Sequence, residues 1–194
     1  MNWYKRANKK PDNWDEMCKY YEKRTHKHID LVTKYCKKIA KYDPDRFEEL
    51  NKRIKVHDDS KFKSPEYEPY VWITWMYKCK DDGIEFEIPE SNEEDMFQAT
   101  LHHVQTNSHH PEYHTEQRDD VLNKENRDQP PKKIVDATKM PDIDLAEMVG
   151  DWCGVSEERG NSPKSWADKN VGVRWKFSEH QKDLIYELID AVWK

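Results

Sequence analysis

The sequence predicts an all-α fold, a single helical bundle with a long charged loop and room for a short β-arm. Three observations predict it. Apolar residues recur at helical spacing through most of the chain, helix stop and start residues fall between those segments, and only Ile84–Ile88 alternates with the period of a strand.

The first helix is expected from Asp12 to about Tyr42, with Met17, Tyr21, Leu31, Val32, Tyr35 and Ile39 at three-, four- and seven-residue steps. Asp43-Pro44 stops it. A second runs from about Asp45 through Phe47, Leu50 and Ile54 to His57-Asp58, and Ser64-Pro65 offers a cap and a proline for the next start. The third, Glu66 to about Lys80, is dense in Trp and Tyr. Asp81-Asp82-Gly83 and Pro89 then bracket Ile84–Ile88, an extended segment or small hairpin arm.

Helix four covers Asn92 to Thr106, with Met96, Phe97, Leu101 and Val104 on one side, and runs into a histidine cluster. Residues 111–141 hold four prolines, many charges and few apolar side chains, so a surface loop or lid is expected there. Helix five follows, about Asp142 to Val155. The last, about 178–193, opens on Ser178 with Gln181 three residues on, a capping-box pattern, and Leu184, Ile185, Leu188, Ile189 and Val192 form its apolar stripe.

The chain of 194 residues is long enough for one domain with one core. Charged residues are 37% and hydrophobic ones 35%, so the core depends on large rings: eight Trp, ten Tyr and five Phe. The apolar run Tyr70–Tyr77 is too short to span a bilayer, and Met-Asn-Trp-Tyr-Lys-Arg is no secretion signal. Cys18, Cys36, Cys79 and Cys153 show no paired spacing, so free thiols in a cytoplasmic protein are expected. Net charge is -6 but uneven: residues 1–64 hold 18 Lys/Arg against 11 Asp/Glu, and residues 65–194 hold 15 against 28. The basic third can attract phosphate. No aromatic-basic array points to a nucleic-acid polymer.

Side chains able to hold a metal are spread along the chain. His57 and Asp58 are adjacent, and with Leu50, Ile54 and Lys61 they follow one helical stripe. Five of nine histidines fall between 102 and 114. His28 sits among Tyr21, Leu31, Val32, Tyr35 and Ile39 and so points inward, either hydrogen-bonded in the core or metal-bound, whereas His26 lies among polar residues. His103 is at the edge of the apolar stripe of helix four and His102 is on its polar side; His109 and His110 are presented from a helix end before Pro111. Asp151 follows Glu147 and Met148 by one turn. Mixed His/Asp ligation favours Fe, Mn, Zn or Ni over Ca or Mg.

The order His28, His57-Asp58, His103, His109-His110, Asp151 on successive helices resembles the HD-domain superfamily of metal-dependent phosphohydrolases, over roughly residues 14–156. His-Asp-Asp-Ser-Lys is similar to the His-Asp-x-Gly-Lys signature of its cyclic-dinucleotide phosphodiesterase branch. His-Asp-x-Ser-Lys-Phe, His-His-Pro-Glu and Glu-Met-x-x-Asp-Trp together resemble short uncharacterised HD-like proteins from phages and bacteria. Ser60 in place of glycine, Pro111 inside the His-His-Glu and the absent Gly-Tyr-Pro argue against cyclic dinucleotides as substrate.

The resemblance implies a divalent transition metal held by His28, His57, Asp58 and Asp151, and a second ion shared through Asp58 with His103, His109 and His110. It implies an enzyme acting on a nucleotide or similar small phosphate ester in the cytoplasm, the host's if phage-encoded. In it Lys61 meets a phosphate oxygen, and Glu112 orients a histidine or accepts a proton. The alternatives are a di-iron oxygenase on the same fold and ligands, or a non-catalytic interaction protein that keeps the metal for stability.

Overall fold

A computed structural model describes residues 10–193; the hexapeptide Met1–Arg6 lies outside them. The architecture is all-α, with eight α-helices among the described residues and one two-stranded sheet. The helices are α1 Trp14–Tyr42, α2 Pro44–Phe47, α3 Leu50–Arg53, α4 Tyr67–Asp81, α5 Glu90–Thr106, α6 Asp142–Arg159, α7 Pro163–Asn170 and α8 Glu179–Val192. The chain forms two compact units. Among the described residues the first takes 10–26 and 58–103, the second 27–57 and 104–193, so α1 and α5 each contribute to both.

The first unit is built on rings. Met17, Tyr21, Tyr70, Val71, Trp72, Ile73, Trp75, Cys79 and Ala99 form one buried cluster, with Trp14, Tyr20, Tyr67 and Phe86 packed against it. Trp14 lies against Trp72 at 5.7 Å between centroids, and Tyr20 meets Trp75 edge-on at 5.8 Å. Each large apolar side chain buried this way contributes about 1.5–3 kcal/mol, which is how a strongly charged chain stabilises a core. The turn expected to be capped by Ser64 before Pro65 is different: the Ser64–Pro65 peptide is cis, and α4 starts two residues later at Tyr67. Residues 84–89 carry neither helix nor strand, and the short strands of the fold lie elsewhere, at Val135–Asp136 and Trp175–Lys176.

In the second unit α6 packs against α2, α3, α7 and α8. The segment expected as one helix from Asp45 to His57 is two single-turn helices followed by tighter turns. Asp43 caps the first by accepting from the Arg46 amide, and Pro44 starts it. After α3, Lys55 and Val56 donate to carbonyls only three residues back. That tightening brings His57 to the buried side after Leu50 and Ile54, and leaves Val56 63% exposed.

The α1 and α6 backbones approach closely where α6 has no side chains. An added Cβ at Gly154 would stand 3.1 Å from the Val32 amide nitrogen, and one at Gly150 would stand 2.4 Å from Cys36 Sγ. Helix α6 continues four residues beyond the expected Val155 and ends at Gly160, whose φ of 65° suits a residue without Cβ. Helix α7 is absent from the sequence-based expectation; Ser162 caps it and Pro163 opens it. The capping box of α8 is as expected, with Ser178 and Gln181 exchanging bonds.

Within residues 111–141 the charges other than Glu112 lie largely outside, but Val121, Leu122, Val135, Ala137 and Met140 are buried. The short parallel strands β1 Val135–Asp136 and β2 Trp175–Lys176 fasten this loop, and the Arg174 guanidinium donates to the carbonyls of Arg127 and Asp128. No helix among the described residues is long and apolar enough to cross a membrane.

Candidate metal centre

The second unit gathers six of the sequence-predicted residues: His28, His57, His109, His110, Glu112 and Asp151. His28 leaves α1 one turn before Val32, and Asp151 leaves α6 directly after Gly150, so the close helix approach brings the two together. His28 Nε2 lies 3.2 Å from Asp151 Oδ1, and the rings of His28 and His57 are 5.9 Å apart. His57 faces His109 at 4.3 Å between centroids, and His109 faces His110 at 4.2 Å. Four imidazoles and a carboxylate therefore converge from α1, the turn after α3, the segment after α5, and α6.

Asp151 Oδ1 tests whether this set suits a cation. It is buried and makes no hydrogen bond, although His28 Nε2 stands 3.2 Å away. A carboxylate oxygen left this way costs about 1–3 kcal/mol or more, and a shared cation removes that cost. Within the same unit His57, His109 and Glu147, all buried, each offer one ligand atom within 4.8 Å of the others. These groups can hold a metal ion.

A hydrogen-bonded frame surrounds the imidazoles. Glu147 Oε1 lies 2.8 Å from His57 Nδ1, and Arg53 Nε donates to Glu147 Oε2 at 2.6 Å. Arg53 also donates to Asp144 and, at 2.7 Å, to Ser108 Oγ, while Ser108 donates to Asp144 at 2.8 Å. His114 Nε2 lies 2.8 Å from the Ser108 carbonyl. Burial pushes the Glu147 carboxyl up, but the hydrogen bond and charge of His57, with those of Arg53, outweigh it and hold the group below the ordinary range. It is an anion at neutral pH.

Glu112 is 2% exposed, and its Oε1 accepts from Trp175 Nε1 at 2.7 Å; Trp175 in turn stacks on Trp152. That bond ties the histidine segment to β2.

The first unit holds the other three predicted residues. Asp58, 1% exposed, adopts φ 61°, a left-handed conformation that Asp tolerates better than most residues and that recurs at functional turns. The turn lets the 3-10 segment Asp59–Phe62 fold back, so Lys61 Nζ reaches Asp58 Oδ2 at 2.5 Å. His103 Nε2 stands 3.3 Å from Asp58 Oδ1. Between His102 and His103 the structure separates two environments: the His103 side chain is 3% exposed and that of His102 37%.

Glu66, fully buried, escaped the sequence reading. Its Oε2 lies 2.9 Å from His103 Nδ1 and accepts from Ser60 Oγ, and its Oε1 lies 2.8 Å from His102 Nδ1. Burial pushes this carboxyl up, and the hydrogen bond and charge of His103, with His102 and Ser60, more than reverse the shift. Arg53, Asp144 and Ser108 were missed as well. Charged residues at helix ends read as solvated, and nothing in their spacing marks them as buried partners.

Comparison with curated proteins and with solved structures finds no match. A family profile described as a family of unknown function (DUF5662) matches residues 17–191, nearly the whole chain, and the protein belongs to that family.

Proposed function

We propose that this protein is a metal-dependent phosphohydrolase acting on a nucleotide or a similar small phosphate ester. The observation that carries the proposal is the convergence of His28, His57 and Asp151, with Asp151 Oδ1 buried and lacking a hydrogen bond. His28, His57 and Asp151 would hold a divalent transition metal in the second unit, with His109 and His110 beside them. A cation held there supplies positive charge for the phosphoryl oxygens and acidifies water at neutral pH.

The chain's own residues do the rest. Lys61, its side chain 18% exposed and fixed on Asp58, presents an ammonium to a phosphate oxygen. Glu147 and Arg53 keep His57 from turning. Glu112 gives its Oε1 to Trp175, which suits holding the His109–His110 segment in place. The four thiols are unpaired among themselves, which fits the reducing cytoplasm.

The test uses metal-free protein reloaded under nitrogen with Mn, Fe, Ni or Zn, and measures phosphate release from nucleoside mono-, di- and triphosphates and from p-nitrophenyl phosphate. Hydrolysis with at least one metal, lost more than about 100-fold in His57→Ala and Asp58→Asn, is the expected result. Metal-loaded protein that releases no phosphate from any of them overturns the proposal. Oxygen uptake by the iron-loaded form would replace it with the oxygenase alternative.

A further inference from the structure

Two buried carboxylates share one arrangement, and the ligand set proposed above uses neither, although Glu147 also lies within reach of a cation on His57 and His109. In the second unit Glu147, 4% exposed, lies 2.8 Å from His57 Nδ1. In the first unit Glu66, fully buried, lies 2.9 Å from His103 Nδ1. An ionised carboxylate only accepts hydrogen bonds, so each contact at this distance requires a proton on Nδ1. A neutral imidazole carries one ring proton, so Nε2 is then a lone pair. His109 differs, because its Nδ1 is 3.7 Å from Glu147, beyond hydrogen-bond range.

We propose that Glu147 and Glu66 are positioning residues that fix His57 and His103 as Nδ1–H tautomers, so that both rings offer Nε2 to a cation. The proposal rests on the metal-centre reading above. Each carboxylate is itself held. Arg53 Nε bonds Glu147 Oε2 at 2.6 Å while its other arm engages Asp144 and Ser108, so the Glu147 oxygen facing His57 has little freedom to swing. Ser60 Oγ donates to Glu66 Oε2 at 2.9 Å, and His102 Nδ1 occupies Oε1 at 2.8 Å. Histidine free in water favours the opposite tautomer, Nε2–H. Without the carboxylate the ring must lose a proton from Nε2 before coordinating, and it gains freedom to rotate. Removing orienting partners of this kind typically lowers metal affinity 10–100-fold.

The experiment is long-range 1H–15N correlation of the imidazoles in 15N-labelled, metal-free wild-type protein at pH 8, assigned with His57→Ala and His103→Ala. Both rings are expected to carry a proton at Nδ1, with Nε2 bare in the neutral form. In Glu147→Leu, His57 is expected to switch to Nε2–H while His103 is unchanged. In Glu147→Gln, whose amide oxygen still accepts, His57 keeps its tautomer. Zn affinity by chelator competition is expected to fall 10–100-fold in Glu147→Leu and less in Glu147→Gln.

A wild-type His57 protonated at Nε2 overturns the proposal without recourse to any variant. So does a Glu147→Leu protein, folded by circular dichroism, that binds Zn as tightly as wild type; the metal reading survives both results. If wild type carries the Nδ1–H tautomers yet binds no Zn, Mn, Fe or Ni, the metal reading fails and takes the positioning role with it.

Discussion

Gly150→Ala probes the contact that sets the centre's geometry. The new Cβ would stand 2.4 Å from the sulfur of Cys36, a fully buried residue, and 3.4 Å from the Cys36 amide nitrogen. Non-bonded heavy atoms prefer about 3.5–4.0 Å, so the thiol or the helix must move by roughly 1 Å. Overpacking of this kind costs about 1–3 kcal/mol, and alanine's better helix propensity returns about 0.8–1 kcal/mol. The net effect is a loss of about 0–2 kcal/mol, measured by urea denaturation of metal-free protein followed by circular dichroism. In a Cys36→Ala background the sulfur is gone and the nearest remaining atom is at ordinary contact distance. There the same substitution should stabilise by up to about 1 kcal/mol, a coupling of about 1–3 kcal/mol between the sites. Asp151 follows Gly150 directly, so metal affinity should fall in the single variant and recover in the double. An equal effect of Gly150→Ala in both backgrounds would refute the argument that this contact controls the approach of α1 and α6.

Three further outcomes follow from separate parts of the structure. Trp175→Phe deprives Glu112 of its indole donor and should cost about 1–3 kcal/mol; a Glu112→Gln protein should suffer less from the same change, and equal losses would show that the bond is unimportant. Asp136, bonded by the Thr138 side chain and amide and by Lys176, is held down at about 2 against an ordinary 3.8. A depressed carboxyl contributes stability above the unfolded value and loses it as pH falls through the folded one, so Asp136→Asn should flatten the acid destabilisation between pH 3.8 and about 2; because the group is half exposed, the loss at neutral pH should stay below about 1 kcal/mol. Burial pushes the Cys153 thiol up to about 12 and that of Cys36 well above its ordinary value, so in native protein at pH 8 both should resist a disulfide reagent that titrates all four thiols in urea. Prompt native reaction of either would contradict their burial.

Local signals carried much of this fold. The apolar stripe of α1, Asp43-Pro44 at its end and the Ser178–Gln181 box at the start of α8 act over a few residues and stand in the structure as expected. The break between α2 and α3 was not legible, because the tight turns that bury His57 depend on the surrounding packing and not on a breaker residue. Helix α7 carried a usable signal in Ser162-Pro163 that was not read. In the centre, the inward face of His28 was visible from its α1 neighbours, whereas Asp151 was inferred only from the order of the preceding elements. Glu66, Arg53 and Asp144 were illegible for a physical reason: a charge is buried only when its partners arrive from elsewhere, and Arg53 finds its carboxylates on α6. Gly150 and Gly154 show the same limit, since their importance lies in the α1 atoms that face them.

The central claim is that His28, His57 and Asp151 hold a cation in common. Its most direct test is the transition-metal content per chain of protein purified without chelator, measured by elemental analysis alongside His28→Ala and Asp151→Ala. The account predicts one or two equivalents of Fe, Mn, Zn or Ni in wild type and a loss of at least one in each variant. Wild-type protein that holds no metal after incubation with any of the four, or variants that retain the full content, would contradict it.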